Sequence, residues 1–278
     1  MPIRSRHRLL IAGLCATAAI AAFGRLCFDY DTRSRIDDLH AAVNPRTSES
    51  VQHGDFADLP DPIRRYFETV IDEGQQPARA ARVTQAGEFR LGDSWKPMRA
   101  TQHYTVSPPG FVWDAEIDVL PFVPARVVDA YEAGQGSLQA RVLSTIPVAD
   151  VEPSPDMNEA ELQRYLAEAV WFPTALLPSD GVEWTPIDEH SARARLTDHG
   201  TTAEVVFHVD DDGLVEQVTA ERYRQENDSH DQWTGHFDDY EWHDGVQIPT
   251  TASVEWNLAD GDQLYWRATL TGVDHQRY

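Results

Sequence analysis

Residues Ser154–Pro178 read SPDMNEAELQRYLAEAVWFPTALLP, the one long helical pattern amid a run of strand patterns. Ser154 and Asp156 offer N-cap oxygens, Pro155 suits the first turn, and Glu159 and Glu161 put negative charge near the helix start. Leu162, Tyr165, Leu166, Ala169 and Val170 recur at three- and four-residue spacing, so they form one apolar stripe that must be buried. Pro173 stops the helix, because it lacks an N–H and biases Phe172 away from helical geometry. Glu161, Arg164 and Glu168 stand at i, i+3 and i+7, which places a carboxylate–guanidinium–carboxylate row on one side. Two readings follow for that row. It lines the rim of a pocket, with Trp171 and Phe172 at the mouth, or it is a solvated ladder on a packing helix.

On both sides of this helix the hydrophobic period is two. Five strand patterns precede it between Arg82 and Val148, and seven follow between Glu183 and Val273. Gly92-Asp93, Pro108-Pro109-Gly110, Asp198-His199-Gly200, His243-Asp244-Gly245 and Ala259-Asp260-Gly261 punctuate them as short turns. No spacing fits a βαβ unit. The expected fold is mainly β: one large curved antiparallel sheet or half-barrel, its concave side partly filled by the inserted helix. A short helix opens the domain at Asp61-Pro62, with Ile63, Phe67 and Val70 as its buried side.

The chain has 278 residues, a formal net charge of −23, and Lys96 as its single lysine against 22 arginines. An acidic surface repels nucleic acid and anionic headgroups, so neither is expected to bind the folded domain. Excess Asp and Glu with little lysine fits a salt-adapted surface, although a GC-rich genome also favours Arg over Lys. Cys15 and Cys27 both lie in or beside the N-terminal apolar segment, which leaves no disulfide or thiolate site elsewhere.

That segment, Leu9–Gly24, follows Arg4, Arg6 and Arg8 and reaches about twenty residues if Arg25 snorkels and Leu26–Phe28 join it. It is read as a retained membrane anchor over residues 9–28 with the bulk outside the cytoplasm. The alternative is a signal peptide cleaved near Ala16-Thr17-Ala18 or Ala19-Ile20-Ala21. The expected organisation is an anchor over 1–28, a polar linker or stalk over 29–58, and one β-rich domain over 59–278.

The side chains that could do chemistry each have an ordinary role as well. Asp114, in Phe111-Val112-Trp113-Asp114-Ala115, is a base candidate if it faces a cavity and a solvated strand residue if it does not. Strand alternation puts His236 and His243 on opposite faces, so no metal site is expected, and no cofactor motif is present. The absence of G-x-S-x-G, H-E-x-x-H and phosphate-loop patterns lowers the expectation of an enzyme, but leaves paired carboxylates open.

Leu59-Pro60-x-Pro62-x-Arg64-Arg65-Tyr66-Phe67, Pro108–Ala115, Glu161–Ala169 and Trp171–Pro178 in this order resemble a domain-of-unknown-function family of bacterial and archaeal proteins. Its members often carry an N-terminal membrane segment. The layout also looks like the half-barrel of periplasmic lipoprotein carriers, which implies fold alone. The expected function is capture of an apolar or amphipathic ligand such as a lipid. Trp113, Arg164, Tyr165, Glu168, Trp171 and Phe172 are its binding residues. The alternatives are an enzyme using Asp114 with Glu161 or Glu168 and Arg164 as an anion clamp, or an interaction domain without a ligand.

The charge yields a first prediction. Thermal melts in about 0.1 M and about 2 M KCl should show a clearly higher melting temperature at the higher salt, as carboxylate repulsion is screened. Equal melting temperatures would remove the salt-adapted reading.

Overall fold

A computed structural model describes residues 3–44, 49–121 and 123–277, with backbone alone over 3–21. Thirteen strands form one antiparallel sheet. The first wing is β1 (Ala80–Leu91), β2 (Ser94–Thr105), β3 (Gly110–Leu120), β4 (Val123–Glu132), β5 (Gln135–Val142) and β6 (Ile146–Val151). The second is β7 (Glu183–Pro186), β8 (Ser191–Asp198), β9 (Thr201–Val209), β10 (Val215–Arg224), β11 (Ser229–His243), β12 (Val246–Leu258) and β13 (Gly261–Gln276). Each wing is a meander of hairpins. The last strand returns to pair with the first, so β1 and β13 meet in the middle and β6 and β7 are left as edges.

One of the expected strands is two. Ser137–Val148 is broken by a turn in which Leu143 and Ser144 have φ of 52° and 53°. Neither is a glycine, so the turn carried no sequence signal. The central seam does need one: a Cβ on Gly87 of β1 would collide with the Arg267 carbonyl of β13. The two wings approach each other a second time at their hairpin tips. There Tyr131 donates to the Asp198 carboxylate at 2.9 Å, and Gly134 lies against the His199 ring.

The crossover between wings is the helix α3 (Pro155–Glu168), followed by short 3-10 turns over Ala169–Trp171 and Pro173–Leu176. Ser154 caps it, its hydroxyl oxygen accepting from the Met157 N–H. The apolar stripe Leu162, Tyr165, Leu166, Ala169 and Val170 is buried in one core with inward residues of both wings, among them Phe111, Val205 and Phe207. A second short helix, α2 (Asp61–Val70), buries Ile63, Tyr66, Phe67 and Val70 in the same core. Phe67 meets Trp184 edge-on at 6.2 Å.

The N-terminal region departs from expectation. A single helix, α1, runs from Ile3 to Ala41, so residues 29–41 are helix where a polar linker was expected. They are helical because they have a surface to cover. Phe28 and Leu39 pack on the outward-facing Val112, Val128 and Ala130 of β3 and β4. Arg35 Nε donates to Glu132 at 2.6 Å, and Arg126 is shared between Asp29 and Asp114. Among the described residues no helix is long and apolar enough to cross a membrane. Most of the Leu9–Gly24 run belongs to the residues whose side chains are not described.

Leu166, with no exposed surface, tests the crossover. Leu166→Ala should cost roughly 2–5 kcal/mol in urea unfolding, the usual range for a leucine cavity. An unchanged urea midpoint would show that α3 is not part of the cooperative core.

Candidate functional site

The polar side of α3 points into the concave side of the sheet and meets charged partners there. Arg164 Nε donates to Glu168 at 2.9 Å, and its Nη1 donates to Asp129 of β4. Its guanidinium also lies over the rings of Phe111 and Trp113, 5.1 and 4.9 Å from their centroids. Glu168 accepts from Gln102 Nε2 at 2.7 Å and from the Tyr104 hydroxyl at 3.0 Å. Glu161 accepts from Arg222 of β10 at 3.1 Å, while Arg222 Nε donates to the Ala160 carbonyl.

Aromatic rings continue from these arginines. Arg222 lies over Trp233, whose indole N–H donates to the Tyr265 hydroxyl at 2.9 Å. Tyr265 stacks on Trp256 with centroids 6.0 Å apart and meets Phe89 edge-on. Arg224 covers Trp256, and the Trp113 indole donates to Gln85 at 3.0 Å. Phe89 and Tyr265 are half-buried, and the rings behind them are buried. The result is an aromatic cluster that is half-exposed at Phe89 and Tyr265, the mouth, with guanidiniums at its sides and carboxylates behind it, the floor.

The floor is short of positive charge. Asp129, Glu161 and Glu168 face Arg164 and Arg222, three acids against two bases, which leaves one negative charge if every group is ionised. Burial pushes Glu161 up to about 8, and the Asp129 charge adds to this against the pull of Arg222. Burial also raises Asp129, opposed by Arg164. The direction of the shift favours a proton on Glu161, and a proton there would balance the cluster. Several buried polar atoms here lack a hydrogen-bond partner among the described residues: Gln85 Nε2, Gln102 Oε1, Asp129 Oδ1 and Glu161 Oε2. Native interiors pair most such atoms with protein or water, so these four offer hydrogen-bonding capacity to a water or to another polar group.

Of the residues singled out from sequence, Trp113, Glu161, Arg164 and Glu168 come together here. In the row Glu161, Arg164, Glu168, expected at a partly hydrated rim, Glu161 is buried and the other two side chains keep 14% of their surface, because β4 and β10 supply partners from either side. Trp171 and Phe172, expected at the mouth, are each only 1% exposed. The 3-10 turns around Pro173 fold them inward, where Phe172 lies 4.6 Å from the Tyr104 ring and the Trp171 carbonyl meets His275 at 2.7 Å. Tyr165 is also in the core, donating to the Thr105 carbonyl. Asp114 faces outward beneath α1, where it accepts from Nε and Nη2 of Arg126 at 2.7 Å each.

Sequence reasoning missed Asp129, Arg222, Arg224, Trp233, Trp256 and Tyr265 as one site. A signal existed in β10, where Val218, Ala220, Arg222 and Arg224 share the inward face. Two arginines in register with core residues need aromatic or anionic partners. His236 pairs with Glu255 at 3.1 Å, and no group of three or more metal-ligating side chains occurs among the described residues. A separate open groove of about 890 Å³, lined by residues such as Glu88, His236, Ser253 and Arg267, shares no residue with the cluster.

The chain belongs to the family of unknown function DUF6920, which matches residues 57–275. No curated protein matches it. Among solved structures it is similar to a DUF1329 family protein from Desulfovibrio piger, with 12% identity, a TM-score of 0.42 and coverage of 71% of this chain and 86% of that one. A LolA superfamily protein from Nitrosomonas europaea gives 12% identity, a TM-score of 0.40, and coverage of 78% and 92%. A putative outer membrane lipoprotein-sorting protein domain from Vibrio parahaemolyticus gives 11% identity, a TM-score of 0.38, and coverage of 71% and 85%.

Glu161 gives a prediction with a definite sign. Its folded-state value of about 8 lies above the ordinary 4.5, so the folded protein binds this proton more tightly than the unfolded chain. That contribution is complete below about pH 4.5 and is lost as pH rises through about 8. Glu161→Gln should therefore flatten the fall of the urea midpoint over this range. Parallel curves for the two proteins would show that Glu161 is ionised throughout.

Proposed function

For this member of a family of unknown function, we propose a membrane-anchored, extracytoplasmic half-barrel that binds an amphipathic ligand such as a lipid. The observation that carries the reading is the junction of the aromatic mouth with a floor of unpartnered polar atoms. An apolar chain would lie between Phe89, Trp256 and Tyr265, and its polar end would reach the floor. The floor offers both donor and acceptor capacity, from Gln85 Nε2 on one side and from Asp129 Oδ1 and the Glu161 carboxyl on the other. A head group carrying a hydroxyl or carboxyl would match it. The anchor is the Leu9–Phe28 segment, on the grounds of its sequence.

A second reading, a carboxylate-dependent enzyme, is favoured by one feature: burial favours a proton on Glu161, which has a free oxygen, as a general acid requires.

A dansyl-labelled fatty acid tests the binding site through energy transfer from the mouth tryptophans. Trp256→Leu and Arg224→Gln should each weaken its capture by about tenfold, or about 1.4 kcal/mol. Ser253→Ala, in the outer groove, should leave capture unchanged. Equal affinity in all three variants would place the ligand elsewhere. Incubation with the methyl ester of the probe separates the two readings: recovery of intact ester supports binding, and release of the acid supports the enzyme.

A further inference from the structure

α1 is laid along β3 in a definite direction. Leu39 lies beside Gly110 at the start of β3, Asp29 and Asp114 share Arg126 near its middle, and Arg25 comes within 4.0 Å of Glu116. Gly24 then abuts the Thr145 side chain in the β5–β6 turn. Followed toward lower residue numbers, the helix moves steadily to the Leu120 end of β3. It continues unbroken to Ile3, which at 1.5 Å per residue carries it roughly 30 Å past Thr145. That is about the thickness of a bilayer's hydrocarbon core, and this portion holds the Leu9–Gly24 run.

Apolar side chains are exposed around the point of departure. Leu120 ends β3 and is 62% exposed, and Ile146 and Val148 on the edge strand β6 are 57% and 60% exposed. Leu143, in the turn beside Thr145, is also exposed, as are Phe23 and Leu26 on the helix itself. Isolated exposed leucines are ordinary. These gather where the apolar helix leaves the domain.

We propose that this end of the half-barrel is a bilayer-contact surface, with the β3–β4 and β5–β6 hairpin tips seated in the headgroup–acyl boundary. The proposal rests on the anchored reading above and adds an orientation. Strand register places Gly87 beside Met98 and Met98 beside Ile117, so the Phe89 end of β1 lies at the Leu120 end of β3. The aromatic mouth therefore opens toward the membrane, and an amphipathic molecule could pass between leaflet and mouth without crossing bulk water.

The test uses the full chain, with Cys15 and Cys27 replaced by serine, reconstituted into phosphatidylcholine vesicles. An NBD label is placed singly at Leu120→Cys, at Ile146→Cys, and at Ile187→Cys in the β7–β8 turn. Blue-shifted emission and its loss to spin-labelled lipid at positions 120 and 146, with neither at 187, is the expected result. If all three positions behave alike while the protein floats with the vesicles, the contact surface is refuted and the anchor stands. If the protein does not float, both fall. If Ile146→Cys instead cross-links to itself in dilute detergent, the surface joins two copies and the proposal is overturned.

Discussion

Two buried contacts tie α3 to opposite wings of the sheet: the ion pair of Arg164 with Asp129 on β4, and the hydrogen bond that Arg222 on β10 donates to Glu161. Most of the architecture depends on that arrangement. The strand order runs from β6 through β1 and β13 to β7, so the two wings join at the central seam and meet again where Tyr131 donates to Asp198. The helix spans the gap with its apolar side in the common core and its polar side holding one partner from each wing. Burial of the apolar stripe supplies the stability. The two polar contacts are costly to desolvate and are better regarded as setting the helix's rotation and position, since a slip would strand a charge.

The same requirement explains the chemistry of the open end. Guanidiniums held this deep need more than carboxylates, and Trp113, Trp233 and Phe111 present their faces to them. The indole N–H groups of Trp113 and Trp233 in turn need acceptors, and Gln85 and Tyr265 provide them. Each step outward trades a charge for a ring and a ring for a polar atom, ending at half-buried Phe89 and Tyr265. The floor keeps unpartnered atoms where one end of a buried group is taken and the other is not: Gln85 accepts from Trp113, Gln102 donates to Glu168, and Asp129 and Glu161 each bind a guanidinium through one oxygen.

The β class, the antiparallel meander and the inserted helix were legible from period and turn residues alone. So was the charged row on α3, because i, i+3 and i+7 spacing is local. Its depth was not legible. Whether Glu161 is hydrated depends on Arg222, 61 residues away, and strand periodicity says which residues face inward but not which strands face each other. Trp171 and Phe172 were misplaced for a related reason: Pro173 ends a helix, but the direction taken afterward is set by core volume. The turn at Leu143-Ser144 was hidden because it uses positive φ without glycine. The helix over residues 29–41 was hidden because its stabilising surface is the outer face of β3 and β4, which composition does not reveal.

The central claim is that the open end holds an amphipathic molecule between its rings and its charged floor. Native mass spectrometry of full-length protein, released from membranes in mild detergent, tests it most directly. The account predicts that wild-type protein carries an adduct of lipid mass that is lost on moderate activation and is absent from Trp256→Leu. Bare protein from wild type, or an adduct retained equally by Trp256→Leu, would contradict it.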